Sequence, residues 1–326
     1  MTSITTTPDT PSLRSGRSTQ RGDAVFRRLA MSAGVMVLVV LGAIALFLIV
    51  KALPALRGDK ANFWTTQEWS PQNHIFGIAA LLFWTLMTSL LALVMALPVG
   101  LGVAIYITQY APRRIATLLG YATDMLAAVP SVVYGLWGLI FLLPHLIGFQ
   151  LFLSHWLGWI PLFANPNGEV NVLSKSAFAA AVVLGVMILP IIAAINREVL
   201  RQVDPAEKEA ALALGATRWE MIRIAVLPPS RPGIISALML ALGRALGETI
   251  AVALIIANTP KISAHILTPI GATIASNIAV SFGDADTFGR SALIASGLVL
   301  FVLTLAVNLV ARYVILRSGT EERSSV

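Results

Sequence analysis

Residues 29–50 read LAMSAGVMVLVVLGAIALFLIV, an uninterrupted apolar run that decides which solvent this chain folds in. As a helix rising about 1.5 Å per residue it spans about 33 Å, enough to cross a hydrocarbon core about 30 Å thick. The run is longer than the roughly 7–15-residue apolar region of a secretory signal, and no small-x-small cleavage pattern follows, so it reads as an uncleaved membrane helix. The rest of the chain agrees. Of 326 residues, 57% are hydrophobic and 12% charged, and the mean hydropathy is +0.81. A soluble domain carries about twice that share of charge, so the surplus apolar surface calls for a bilayer rather than a single water-soluble core. The absence of cysteine removes disulfides and thiolate metal sites.

Five more segments are long and apolar enough to span: Ile75–Ile107, Ile115–Ile147, Ser176–Ile195, Gly233–Ala257 and Ser291–Ile315. The expected fold class is an all-α integral membrane protein with about six transmembrane helices. The second and third segments exceed a straight crossing and contain Pro98 and the pair Pro130-Ser131, which predicts kinks or short helices at the membrane surface. Basic residues divide sixteen to six between the two sets of connecting segments, with Arg244 left inside the fifth span. That bias predicts both termini in the cytoplasm, and it accounts for the net charge of +7 without nucleic acid as a partner. Residues 1–28, rich in Ser, Thr, Pro and Arg, read as a disordered basic cytoplasmic tail. Residues 29–74 read as the first helix and an outer loop, 75–315 as a five-helix core, and 316–326 as a second cytoplasmic tail. Trp64, Trp69, Trp156 and Trp159 fall in outer loops and fit an interfacial aromatic belt, with Phe149–Lys175 expected along the outer surface.

Residues 197–232, between the fourth and fifth spans, are polar and patterned. Asp204-Pro205-Ala206-Glu207 supplies an N-cap, a proline at the first helical position and a glutamate three residues after the cap. Glu209-Ala210-Ala211-Leu212-Ala213-Leu214 favours helix, and Gly215 ends it. Thr217-Arg218-Trp219-Glu220 then starts a second helix, expected to stop before Pro228-Pro229. The small residues Ala210, Ala211 and Ala213 offer a surface that a partner can approach closely. An amphipathic connector without a partner is the plainer reading, and a DNA-reading helix-turn-helix is disfavoured by membrane tethers at both ends. The chain contains no Gly-Lys dipeptide and hence no P-loop of the G-x-x-x-x-G-K type, so any ATP-driven step belongs to another subunit.

Arg244 lies eleven residues past Gly233, about 16 Å along the fifth span and close to mid-membrane. A lone arginine at that depth costs about 2.5–3.5 kcal/mol on insertion scales. Glu248, four residues on, falls on the same face of a continuous helix and within pairing reach. Gly243 and Gly247 form a G-x-x-x-G, and Ala237, Ala241 and Ala245 form a second small stripe, surfaces that admit another helix. A salt bridge that fixes helix packing is one reading. An ion pathway is the other, because intramembrane charges face cavities and the guanidinium fork matches an oxyanion. The pair sums to zero charge, so a pathway for a dianion needs another cation from a partner chain. Asp124 reads as a helix cap or a partner for Arg113 or Arg114, Asp284 and Asp286 as solvated, and the four dispersed histidines as no metal site.

Glu209-Ala210-Ala211, Gly215 and Leu227-Pro228 resemble the EAA loop of ABC importer permeases, with Ala225 where that family's pattern has isoleucine. Ala241 to Thr249 (A-L-G-R-A-L-G-E-T), followed by Asn258-Thr259, resembles the PstC-type permeases of bacterial phosphate transporters, as do Leu97–Tyr106 and Val129–Gly135. Gly243 separates this pattern from the sister PstA type, which carries serine there. The resemblance spans Ile75 to Thr259 and implies the type I (MetI-like) permease architecture in a bacterial inner membrane. It implies ATP-driven phosphate import, with Arg244, Glu248, Thr249 and Asn258 along the pathway and Glu207, Glu209, Ala210, Ala211 and Gly215 coupling to the ATPase. Pro98, Pro130, Ser131, Gly243 and Gly247 then serve helix kinks and packing. The implied partners are a PstA-type permease, a PstB-type ATPase dimer that carries ATP and Mg, and a PstS-type external phosphate-binding protein. No catalytic residue, metal or cofactor is expected on this chain itself. A permease for sulfate or molybdate, a scaffold that docks an ATPase and moves nothing, and a membrane-embedded enzyme are the competing readings.

Overall fold

The computed structural model describes residues 17–58, 62–70, 73–165, 168 and 175–323. Met1–Val50 and Lys51–Val326 form two compact units. The first consists of most of helix α1 (Arg17–Gly58), whose large apolar side chains from Val25 to Val50 are nearly all exposed, as in a helix surrounded by lipid. Helix α1 starts at Arg17, twelve residues before the expected Leu29, so the latter part of the expected tail is helical. Residues 1–16 of that tail lie outside the described residues.

The second unit is helical apart from a short antiparallel pair, β1 (Trp69–Ser70) with β2 (Ile75–Phe76), in the register Trp69 opposite Phe76. Its helices are α2 (Ala79–Ile105), α3 (Arg113–Ala127), α4 (Ser131–Trp137), α5 (Leu143–Trp156), α6 (Ala177–Arg201), α7 (Pro205–Ala213), α8 (Arg218–Met221), α9 (Leu227–Leu246), α10 (Ile250–Ile255), α11 (Ile274–Ser281) and α12 (Thr287–Arg323). Short π-helical turns join α4 to α5 and α8 to α9 without interrupting the helical run. Six runs among the described residues are long and apolar enough to cross a membrane: Gly22–Gly58, Ala79–Tyr110, Ser131–Trp156, Ala177–Arg201, Arg218–Leu246 and Thr287–Tyr313.

The centre is α6. Ser176 caps it by accepting from the Ala179 N–H at 3.1 Å, and its early turns are alanine-rich and fully covered. Ala92 and Ala96 of α2, Ala241 and Ala245 of α9, and Val252 and Ile255 of α10 enclose it in one apolar core. Small residues bring the backbones together: a Cβ on Gly100 would stand 2.8 Å from Ile192 Cγ2. In this core the alanine stripe of the fifth span packs against its own chain, not against a second subunit.

The boundaries shift for physical reasons. The second span starts at Ala79, because Ile75 and Phe76 are extended and the following Gly77 passes so close to the Thr66 carbonyl that a Cβ would overlap it. The third expected segment is two elements. Helix α3 ends before Pro130, whose ring disfavours helix in the preceding residue, and the crossing runs from Ser131 to Trp156, past the expected end at Ile147. Tyr134 spans the break by donating its hydroxyl to the Leu126 carbonyl at 2.8 Å. Pro228 and Pro229 do not stop the second loop helix: the π turn Ile222–Val226 resets the backbone, and both prolines occupy the first turn of α9, where no N–H is required. Asp124 pairs with neither Arg113 nor Arg114. Arg197 of α6, 8% exposed, donates to both Asp124 oxygens at 3.1 and 3.2 Å and to Thr123 Oγ1 at 3.3 Å, which pins α3 to α6. Gly120 leaves room for that guanidinium.

Gly135 tests the packing directly, since a Cβ there would sit 2.8 Å from the Ala251 Cα of α10. Gly135→Ala is expected to lower stability by about 1–3 kcal/mol, the usual range for overpacking. Gly102, with open space at its Cβ position, should tolerate alanine with a neutral or favourable change of up to about 1 kcal/mol. Thermal unfolding of the two purified variants in detergent checks this, and equal losses would refute the close-packing account.

Candidate functional site

Helix α9 carries Arg244 two residues before its last residue, Leu246. The side chain is exposed in this chain and, among the described residues, makes no hydrogen bond or ion pair. Glu248 is not its partner. The helix ends at Leu246, so Gly247, Glu248 and Thr249 form a link rather than another turn of the same face. Glu248, 9% exposed, folds over the start of α10, with Oε1 accepting from the Ala251 N–H at 3.3 Å. Thr249 donates its hydroxyl to the Gly247 carbonyl at 3.1 Å. The G-x-x-x-G reading changes in the same way: Gly247 caps α9, and no neighbouring helix approaches the Cβ position of Gly243.

Arg244 opens instead into a cleft of about 660 Å³ between α6, α9 and α12, lined by Ile191, Leu240, Gly243, Thr304 and Asn308 among others. A helical side chain leans toward the N-terminus of its helix, and this carries the guanidinium back toward Leu240. Thr304 and Asn308 were not recognised from the sequence. Two polar residues four apart inside an apolar span are the available signal. Asn258 lies beyond α10 in the left-handed region (φ 56°), which Asn tolerates, and its Oδ1 is buried with no partner among the described residues. Next to it, Thr259 and Gly271 exchange two backbone hydrogen bonds at 3.0 Å. Arg244, Glu248, Thr249 and Asn258 are thus close in sequence, but only Arg244 lines this cleft.

The patterned loop forms as its caps dictate. Asp204 accepts from the Ala206 N–H at 2.8 Å to start α7, and Thr217 with Glu220 forms a capping box that starts α8. Gly215 takes φ 88° between the two helices, with open space around its Cβ position. Glu207, Glu209, Ala210 and Ala213 are exposed. Ala211 is not: it is buried with Met221, Ile222 and Val226 against Ala104 of α2 and Leu200 beyond the middle of α6. The small-residue surface expected of Ala210, Ala211 and Ala213 is therefore divided, with Ala211 turned inward. The loop instead exposes Leu214, at 90%, and Trp219.

Residues 96–318 match the family described as binding-protein-dependent transport system inner membrane component. The phosphate transport system permease protein PstC 2 of Mycobacterium tuberculosis is 43% identical over 228 residues, covering 69% of this chain and 70% of that protein. The phosphate transport system permease protein PstC of Xylella fastidiosa is 39% identical over 323 residues, covering 98% and 97%. Among solved structures, a bacterial ABC transporter involved in the import of the acidic polysaccharide alginate aligns with a TM-score of 0.51 at 20% identity, covering 91% of this chain and 99% of that one, a likeness of fold. With the six spans, the looped-out α7 and α8, and identity to PstC permeases along nearly its whole length, the chain belongs to the binding-protein-dependent transport system inner membrane components, in the group of the phosphate transport system permease proteins PstC.

Proposed function

We propose that this chain is the transmembrane subunit of an ATP-driven importer of inorganic phosphate, carrying one side of the translocation pathway and docking a separate ATPase. The observation that carries the reading is Arg244, an unpaired guanidinium exposed in a cleft within a membrane span. Facing lipid, that group would cost several kcal/mol with no return. Facing a water-filled path it supplies a fork of donors for an oxyanion. The relatives' role in phosphate transport gives the oxyanion its identity. A PstA-type partner closes the path and contributes a further cation, because one arginine does not balance a phosphate dianion. A PstS-type protein delivers phosphate from outside, and a PstB-type dimer holds ATP and Mg; this chain itself catalyses no reaction. Both termini and the α7–α8 loop then lie in the cytoplasm, in agreement with the sixteen-to-six division of basic residues.

Leu214 and Trp219 are among the exposed apolar side chains that the loop offers to the ATPase, and anchors of this kind, once buried, carry most of an interface's energy. Ala211, Met221 and Ile222 sit behind them against α2 and α6, so displacement of the loop displaces the ends of two membrane helices.

Arg244→Gln in the assembled transporter should reduce uptake of labelled phosphate about 10- to 100-fold, the worth of a hydrogen bond to a charged group at about 1.5–3 kcal/mol. Uptake at the normal rate, with normal amounts of complex, would overturn the pathway role and leave the docking role standing. Competition by sulfate and molybdate in the same assay decides between oxyanions.

Leu214→Glu should weaken capture of the ATPase about tenfold or more. Gly215→Val, with no clash to relieve, should cost about 1–2 kcal/mol through its left-handed backbone alone. Co-purification of the ATPase and phosphate-stimulated hydrolysis measure both effects, and unaltered coupling in both variants would remove this loop from the transmission route.

A further inference from the structure

The cleft at Arg244 has two walls of different chemistry. On the α9 side Arg244 offers only donors, since a guanidinium has no acceptor. On the α12 side stand Thr304 and Asn308. The Thr304 hydroxyl already donates to the Phe301 carbonyl at 2.9 Å, so what its oxygen presents to the cleft is lone pairs. Asn308 is exposed, makes no hydrogen bond among the described residues, and brings a carbonyl oxygen together with an amide. Polar side chains inside membrane spans face cavities or protein partners, not lipid, so an Asn and a Thr one turn apart, opposite an unpaired arginine, mark one polar surface.

A donor wall facing an acceptor-bearing wall does more than attract negative charge. Inorganic phosphate near neutral pH keeps at least one P–O–H together with its ionised oxygens. Sulfate keeps none. A fully ionised tetrahedral anion has no proton to give the Thr304 oxygen or the Asn308 carbonyl and can take only the Asn308 amide N–H, whereas a protonated oxyanion also donates to this wall and gains one more hydrogen bond. We propose that Thr304 and Asn308 form the acceptor wall of the Arg244 cleft and select a protonated oxyanion over a fully ionised one. The proposal rests on the reading of Arg244 as a pathway residue, and adds a specificity element on a different helix.

The lack of cysteine in the chain provides the test. Leu240 lines the same cleft, so Leu240→Cys in the assembled transporter reports access to a membrane-impermeant maleimide, followed on this chain by gel separation. Labelling is expected, and phosphate should slow it about 2- to 10-fold more than sulfate at equal concentration, the worth of one neutral hydrogen bond. Adding Asn308→Leu should abolish that difference while both anions still slow labelling, whereas Asn308→Gln, which keeps the acceptor, should restore it. Adding Arg244→Gln should remove protection by both anions. If Asn308→Leu leaves the preference for phosphate intact while Arg244→Gln removes protection, the acceptor wall is refuted and the pathway stands. If Leu240→Cys is never labelled, the cleft is dry and both readings fall.

Discussion

In hydrocarbon no water waits for an unpaired N–H or carbonyl, so every interruption of a membrane helix must be repaired from within the protein. The interruptions in this chain are where its informative residues sit. At the Pro130 break, the Ala128 and Val129 N–H groups return to carbonyls of α3 and the Tyr134 hydroxyl reaches back to Leu126. At the end of α9, the Glu248 N–H returns to Ala245 and the Glu248 carboxylate meets the first turn of α10. Between α8 and α9 a π turn absorbs the prolines. The same need explains why Glu248 is turned inward: a carboxylate that caps a helix start satisfies backbone groups that lipid would leave stranded.

Arg197 and Arg244 show how environment separates a structural charge from an available one. Arg197 is nearly covered and donates to Asp124 and Thr123, holding α3 against the central helix. Asp124 is about half exposed, so the pair is worth little as Coulomb energy and more as a geometric fastener. Arg244 has the same side chain and no such company. It opens into a cleft rather than onto a carboxylate, and Thr304 and Asn308 of α12 line the same cleft.

The loop and the helices that line the cleft share continuous packing. Ala211, Met221 and Ile222 join Ala104 of α2 and Leu200 of α6 in a single apolar cluster, while α6 also packs along α9, where Arg244 stands. A push on α7 or α8 therefore arrives at the helices that line the cleft through dense, weakly compressible packing, without a dedicated relay.

Residue order alone determined the solvent, the number of spans, the two helices of the loop and the turn at Gly215, because apolar run length, capping residues and the left-handed preference of glycine act locally. It also marked Arg244, because a charged side chain within an apolar run is costly wherever the run meets hydrocarbon. Tertiary structure decided the rest. Whether Arg244 pairs with Glu248 depended on where α9 ends, at Leu246, not on the four-residue spacing. Whether Ala211 faces outward depended on a cluster assembled from α2 and α6, far away in sequence. Asn308 entered the cleft only because α12 lies against α9, a contact between distant segments that no local pattern records.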